Sequence, residues 1–290
     1  MTNPNRQAFW LLKDVNRAVR DYSMIHSGDR VAVALSGGKD SFSLLRLLDL
    51  RRRTALEPYD LLAIHINADG RGSWTSVHPP LLAWLELSGI PFVIRPLILP
   101  SSEPLPLDCR RCTWNRRRAL FEAARAEGCT TVAFGHHADD LAQTTLLNLL
   151  YHGVAETMAP ARSYFDGALR VIRPLCYVAE KELRRFARAN DFPAPPPPCP
   201  RANTSRRKFV ADLIQTAEKG AQDAKINLLR AGLKNTQGEL LSPGQIQQQH
   251  QGKDQERGIW DEHAHLVAPG HGVDQHQQQP GHTPQNDRQE

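Results

Sequence analysis

The chain has no hydrophobic run close to the ~18 apolar residues of a membrane span. Its start, MTNPNRQAFWLLKDVNRAV, lacks the continuous apolar core of a signal peptide. Cysteine is sparse. Cys109, Cys112, Cys129, Cys176 and Cys199 are the five in 290 residues, too few and too irregularly spaced for a secreted disulfide framework, and an odd count leaves one over. A cytoplasmic protein in a reducing compartment, with no membrane partner, is expected. Two nucleotide signatures are missing as well. For the phosphate loop G-x-x-x-x-G-K-[ST], counting back from Gly38 puts the first glycine at Val33, and Asp40 stands where Ser or Thr should follow Lys39. The dinucleotide fingerprint G-x-G-x-x-G has no match either.

What is present is enough apolar material, 40% of the residues, for a core that needs no staples. The formal charge of +5 is unevenly spread: residues 237–290 hold eight acidic and three basic side chains, so residues 1–236 carry +10. The basic residues cluster at Arg51–Arg53, Arg110–Arg111, Arg116–Arg118 and Arg206–Lys208. The first cluster reads equally well as a solvated helix face. Those that flank cysteines fit a polyanionic partner such as RNA, with Arg116, Arg117, Arg118, Arg206, Arg207 and Lys208 as its expected contacts.

Apolar periodicity predicts a helix over 6–26, then alternating strands and helices: strand 31–35, helix 41–52, strand 61–66, helix 80–87, strand 92–95, helix 113–127, strand 131–134 and helix 138–151. Strands separated by helical segments of this length imply an α/β fold, an open parallel sheet with helices on both faces. Asp166-Gly167 between two short apolar runs signals a hairpin. A charged helix is expected at 179–190, a stiff proline connector at 193–200 that carries Cys199, a helix at 206–218 and a weaker one at 226–233. The expected organisation is an N-terminal helix at 1–26, a nucleotide domain at 27–218, a short helix or linker at 219–238, and a disordered Gln/His-rich tail at 239–290 whose scattered histidines make no specific metal site.

Ser36-Gly37-Gly38-Lys39-Asp40-Ser41 falls at a strand-to-helix turn. Glycines let the backbone approach an oxyanion, the helix start supplies N–H groups and a positive dipole end, and Lys39 can neutralise departing phosphate charge. Asp40 suits a magnesium ion or an ordering role in the loop. A second polar cluster, Gly135-His136-His137-Ala138-Asp139-Asp140, follows a strand and opens a helix, so in a parallel sheet it faces the same crevice. Its histidines and carboxylates suit phosphate ordering, proton transfer or magnesium binding; Asp139 or Asp140 reads alternatively as a helix cap. Cys109-x-x-Cys112 is, alone, half a zinc site, a redox pair or part of an iron–sulfur site. No second C-x-x-C completes a zinc set, and Cys129 and Cys176 read as small core residues.

SGGKDS resembles the pyrophosphate loop of the ATP pyrophosphatase (PP-loop) superfamily, whose fold is adenine nucleotide α-hydrolase-like. The segments SGDRVAVALSGGKDS, CRRC, VAFGHHADDLAQTTLLNLLYHG, VIRPLCYVAEKEL and PPCP stand in the order seen in tRNA 2-thiocytidine synthetases of the TtcA type, over about residues 7–215. That resemblance implies an ATP-dependent tRNA sulfurtransferase that adenylates the C2 oxygen of a cytidine in the anticodon loop, at position 32, and replaces it with sulfur. It implies ATP as substrate, magnesium, and a [4Fe-4S] cluster on Cys109, Cys112 and Cys199. Ser36, Gly37, Gly38, Lys39, Asp40, Ser41, Gly135, His136 and His137 become the expected ATP and pyrophosphate residues, Lys39, Asp40 and Asp140 the catalytic ones, and Asp40, Asp139 and Asp140 the magnesium ligands. The implied partners are tRNA and a sulfur donor, a cysteine desulfurase or sulfide carrier, with a homodimer as a further expectation. Ala202 stands where many relatives have another cysteine, which leaves three cysteine ligands. A uridine thiolase, a lysidine synthetase, and a non-catalytic iron–sulfur RNA-binding or redox-sensing protein are the competing readings.

Overall fold

Alternating burial along the strands decides how the layers stack. The computed structural model describes residues 4–67, 77–101, 103, 107–196 and 206–238. In β1 (Arg30–Ala34) and β2 (Asp60–Asn67), Val31, Val33, Leu61 and Ala63 enter one large core cluster, whereas Ala32, Leu62, Ile64 and Ile66 are buried outside it. A period of two therefore gives the sheet two covered faces. The main core is built with α1 (Pro4–Asp21), α2 (Lys39–Arg52), α3 (Pro79–Ser88), α5 (Ala138–His152) and α6 (Glu180–Ala189). On the second face α4 (Cys109–Ala126) lies against β2 and buries Leu120, Phe121, Ala123 and Ala124.

With β3 (Phe92–Pro96), β4 (Thr131–Ala133), β5 (Ala161–Tyr164) and β6 (Leu169–Ile172), the sheet has six strands in the order β3-β2-β1-β4-β6-β5. All neighbours are parallel except the β5–β6 hairpin. Its turn holds Phe165, Asp166 and Gly167 at φ 54°, 53° and 91°, the positive values that a tight hairpin turn requires. The parallel α/β expectation holds, with this antiparallel edge added. From β1 the chain steps outward through β2 to β3, and β4 then returns to the other side of β1. The order reverses between β1 and β4, so a crevice opens at their carboxyl ends.

Several boundaries differ from the expected ones. Helix α1 ends at Asp21, five residues before the expected end, and packs on α2 and α6 as part of the main core. Helix α4 starts at Cys109 and not at Thr113, because the Asp108 carboxylate accepts the Arg111 N–H at 2.8 Å and caps a turn that the basic sequence conceals. Helices α7 (Arg206–Gly220) and α8 (Ala224–Gly238) both pack on α5. Leu229 and Leu233 of α8 join the core, which makes this helix longer than its weak periodicity suggested.

The Arg51–Arg53 cluster belongs to the scaffold. Arg51 is buried between Asn16 and Glu57, while Arg52 and Arg53 both reach Asp49, itself 1% exposed, at 2.7 Å. Phe42 of α2 contacts Trp84 of α3 and Phe192 at ring distances of 4.8 and 5.6 Å. These contacts pin the start of the proline connector to the helices below the glycine loop. Residues 197–205, with Cys199, and the tail from 239 onward lie outside the described residues.

Candidate active site

Strand β1 delivers Leu35 and Ser36 to the crevice, and the chain then turns through Gly37 at φ 85°, a conformation that favours glycine. A side chain there would also meet Leu81 Cδ1 and Pro196 Cδ at 3.1 Å. The proline connector therefore lies against the loop three residues before Cys199. Gly38 caps α2 without a side-chain bond. The first-turn N–H groups of Lys39, Asp40 and Ser41 have no helical acceptor and suit an anion. The two serine hydroxyls shape the loop: Ser36 Oγ donates to Ser41 Oγ at 3.1 Å and accepts the Gly38 N–H at 3.3 Å, while Ser41 Oγ donates to the Gly38 carbonyl at 2.9 Å. In this arrangement the Ser41 proton serves the turn and not a phosphate.

The second cluster meets the first through Gly135. A Cβ at Gly135 would stand 3.1 Å from the backbone C and O of Asp40 and the N of Ser41, so the two strand-end loops touch main chain to main chain. That close approach puts His137 among three carboxylates. Its Nε2 lies 3.9 Å from Asp40 Oδ1 and 3.4 Å from Asp140 Oδ2, and its Nδ1 3.9 Å from Asp139 Oδ2. His137 is also the N-cap of α5, where its backbone N–H donates to Asp140 Oδ2 at 3.1 Å.

The three aspartates play different parts. Asp139 has both oxygens engaged, Oδ2 by the Glu180 N–H at 2.8 Å and Oδ1 by Lys225 Nζ at 2.9 Å. It joins α5 to the start of α6 and to α8. Asp40 Oδ1 is buried without a hydrogen-bond partner, and Asp140 Oδ1 faces the exposed Arg207 at 3.5 Å. A magnesium ion fits Asp40 better than Asp139, since its buried Oδ1 has no donor; Asp140 Oδ2 accepts the His137 N–H, and its Oδ1 faces only the exposed Arg207, a partner that a cation could replace.

Lys39 Nζ lies 3.0 Å from Asp40 Oδ2 and 3.0 Å from Glu180 Oε1. Burial alone would lower the Lys39 pKa, but the two carboxylates outweigh it and hold the ammonium above its ordinary value. Burial likewise opposes ionisation of Glu180, yet hydrogen bonds from Arg184 and Lys39 bring its carboxyl down to about 2. Sequence reasoning missed Glu180 and Lys225. Glu180 stands in the segment VIRPLCYVAEKEL, but nothing in its spacing points to Lys39.

His136 stacks on Phe134 with ring centroids 5.6 Å apart, and its Nδ1 is buried without a partner. Burial, reinforced by Arg173, Arg207 and Arg117, presses its pKa to about 3, so the ring is neutral at working pH. Arg173, not foreseen in the sequence, is buried beside this site with its Nε unpartnered and its pKa pushed down by burial to about 10, which still leaves it cationic.

Cys109 and Cys112 occupy the first turn of α4, where successive i and i+3 side chains share a face and the helix start favours a thiolate. Cys109 is exposed and Cys112 half-buried. Cys129 and Cys176 are free and buried, and burial pushes the Cys176 thiol up to about 12, as expected for inert core residues. Among the described residues no three His, Cys, Asp or Glu side chains form a metal group. A cluster on Cys109 and Cys112 needs a ligand from elsewhere, and Cys199 lies outside those residues.

The arginines expected at RNA divide. Arg116, Arg117 and Arg118 are all half-buried: Arg116 donates to the Ile66 carbonyl at 3.4 Å, Arg117 lies 5.9 Å from the Phe134 ring, and Arg118 donates to the Ile98 carbonyl at 3.2 Å. Arg206, Arg207 and Lys208 are exposed at the start of α7, where Arg206 stacks over Tyr151 and Lys208 pairs with Asp212.

A family model described as the PP-loop domain matches residues 11–193. The tRNA-cytidine(32) 2-sulfurtransferase of Geobacter metallireducens is 38% identical over 240 residues, 80% of this chain and 92% of that one. The protein of the same name from Anaeromyxobacter dehalogenans strain 2CP-C is 38% identical over 231 residues, 76% and 77% of the two chains. Among solved structures, the U34-tRNA thiolase NcsA from Methanococcus maripaludis with its [4Fe-4S] cluster superposes with a TM-score of 0.61 at 24% identity, over 77% of this chain and 78% of that one, which shows a shared fold. The matched PP-loop domain and the extent of these identities show that the chain belongs to the PP-loop family of tRNA-cytidine(32) 2-sulfurtransferases.

Proposed function

We propose that the protein is an ATP-dependent tRNA sulfurtransferase that converts cytidine 32 of the anticodon loop to 2-thiocytidine. The observation that carries this reading is the main-chain contact of Gly135 with Asp40 and Ser41, which sets the glycine loop and the histidine–aspartate loop as two walls of one crevice. The C2 oxygen of the cytosine attacks the α-phosphorus of ATP, the bond from that phosphorus to the bridging oxygen breaks, and pyrophosphate leaves. Lys39 and the first-turn N–H groups of α2 bind the departing oxygens, where fixed donors in a confined site act most strongly. Sulfur then bonds to C2 and AMP departs with the former cytidine oxygen.

Asp40 and Asp140 are the residues that would hold magnesium, which screens phosphate charge when bound. Cys109, Cys112 and Cys199 would hold a [4Fe-4S] cluster, which supplies the sulfur nucleophile's site. The accessible thiols on one face of α4's first turn fit that role, and buried Cys129 and Cys176 do not. Neutral His136 contributes no charge; its place is to position, while buried Arg173 keeps the region positive. Exposed Arg206, Arg207 and Lys208 offer phosphate contacts to tRNA. The reducing chemistry suits a cytoplasmic location, and among the described residues no helix is long and apolar enough to cross a membrane.

The test is anaerobic incubation of iron-reconstituted protein with ATP, magnesium, sulfide and unmodified tRNA. AMP and pyrophosphate should form in equal amounts and only with tRNA present. Equal turnover of ATP with and without tRNA would refute the reading.

A further inference from the structure

The Lys39 ammonium is shared between Asp40 and Glu180, both at 3.0 Å. These contacts differ in origin. Asp40 is the next residue in the loop, whereas Glu180 belongs to α6, beyond the hairpin, and is brought across the crevice by the fold. Glu180 is also held from behind. Arg184, one turn on, binds its second oxygen at 2.7 Å, and its backbone N–H is fixed by Asp139, which Lys225 of α8 holds in turn. The carboxylate is therefore held in place by groups other than Lys39. A polyphosphate that enters the loop needs the same ammonium, because the loop's other donors are backbone N–H groups.

We propose that Glu180 is a positioning residue that parks Lys39 across the crevice and gives the ammonium up to phosphate when ATP binds. This rests on the reading of the glycine loop as the phosphate site. The bridge ties the start of α2 to the start of α6. On binding, the phosphate oxygens replace Glu180 Oε1 as the partner of Lys39, and Arg184 retains the freed carboxylate. No covalent bond changes and no proton moves in this exchange.

The consequence is a sign that a purely structural residue would not produce. A residue that only supported the fold would weaken ligand binding when replaced, whereas removal of a competitor strengthens it. Inorganic pyrophosphate with magnesium is the probe, titrated calorimetrically into wild-type, Glu180→Gln, Glu180→Asp and Lys39→Ala proteins, each full length and checked by circular dichroism. Glu180→Gln is isosteric and loses the charge, so it should bind pyrophosphate roughly two- to fivefold more tightly, the range expected for loss of one partly exposed ion pair. Glu180→Asp keeps the charge but falls short of Lys39, and its affinity should lie between wild type and Glu180→Gln. In turnover, Glu180→Gln should show a lower KM for ATP together with a lower kcat, since the lysine is no longer pre-aimed.

Unchanged or weaker pyrophosphate binding by Glu180→Gln, with normal binding by wild type and loss in Lys39→Ala, would overturn the exchange and leave the phosphate site intact. Absence of binding in wild type would overturn both. If Glu180→Gln does not fold, Glu180→Asp decides: affinity equal to or below wild type contradicts the proposal.

Discussion

Replacing Gly135 with alanine probes the contact on which the site depends. The backbone at Gly135 needs no left-handed conformation, so the effect of a methyl group is one of space alone. That methyl would sit 3.1 Å from three main-chain atoms of Asp40 and Ser41, and ordinary van der Waals contact begins near 3.4 Å. Main chain cannot rotate away as a side chain can, so the two loops must part by a few tenths of an ångström. Overpacking of this kind costs about 1–3 kcal/mol, or a drop in Tm of roughly 2–12 °C for a domain of this size. A misplacement of 1 Å can cost about 100-fold in rate, so a third of that predicts a loss of roughly fivefold in turnover. Differential scanning fluorimetry and tRNA-dependent pyrophosphate release measure the two effects. Gly38→Ala is the control for stability, because its methyl would meet only Ser36 Oγ at an ordinary 3.5 Å. If Gly135→Ala melts and turns over like wild type, the two loops do not touch as described.

Lys39→Ala should lower turnover on the order of 100-fold, as for loss of other fixed donors at developing charge, with unchanged iron content by colorimetric assay; normal turnover would remove the glycine loop from the chemistry. Anaerobically reconstituted protein should be brown, and Cys109→Ala, Cys112→Ala or Cys199→Ala should abolish the colour while Cys129→Ala and Cys176→Ala keep it. Retained colour in the first three would refute the ligand set. His136 has a folded pKa near 3, below its ordinary value of 6.5, so the unfolded chain binds the proton first as pH falls. Its contribution to stability is complete above about pH 6.5 and is lost on descent toward 3; urea unfolding across that window should show a shallower slope for His136→Gln than for wild type.

Much of the fold was legible because it is written in local periodicity. The apolar run Val31–Leu35, followed by strands that alternate with helical segments, marks a parallel sheet covered on both faces, and the polar loops that end β1 and β4 mark the crevice. The hairpin at Asp166-Gly167 was equally plain, since only particular residues accept its backbone angles. Partners across the fold were not legible. Glu180 meets Lys39 because two helix starts converge, and no spacing encodes that convergence. Asp139 reads from sequence as a magnesium ligand or a helix cap; that it also links α5 to α6 and α8, through the Glu180 N–H and Lys225, was not legible, because Lys225 comes from a helix of weak periodicity. Arg116, Arg117 and Arg118 were expected at RNA from their clustering beside Cys112; their half-burial was not legible, since long stems let the guanidinium groups reach the Ile66 and Ile98 carbonyls and the Phe134 ring. The start of α4 was hidden because Asp108 is a cap by geometry and a plain acidic residue by composition.

The most direct test of the central claim is nucleoside mass spectrometry of tRNA treated with reconstituted protein, ATP, magnesium and a sulfide source under anaerobic conditions. The expected product is 2-thiocytidine, mapped to position 32 and absent when Lys39→Ala replaces wild type. Thiouridine in its place, lysidine with added lysine, or unmodified tRNA despite bound ATP and an intact cluster would contradict it.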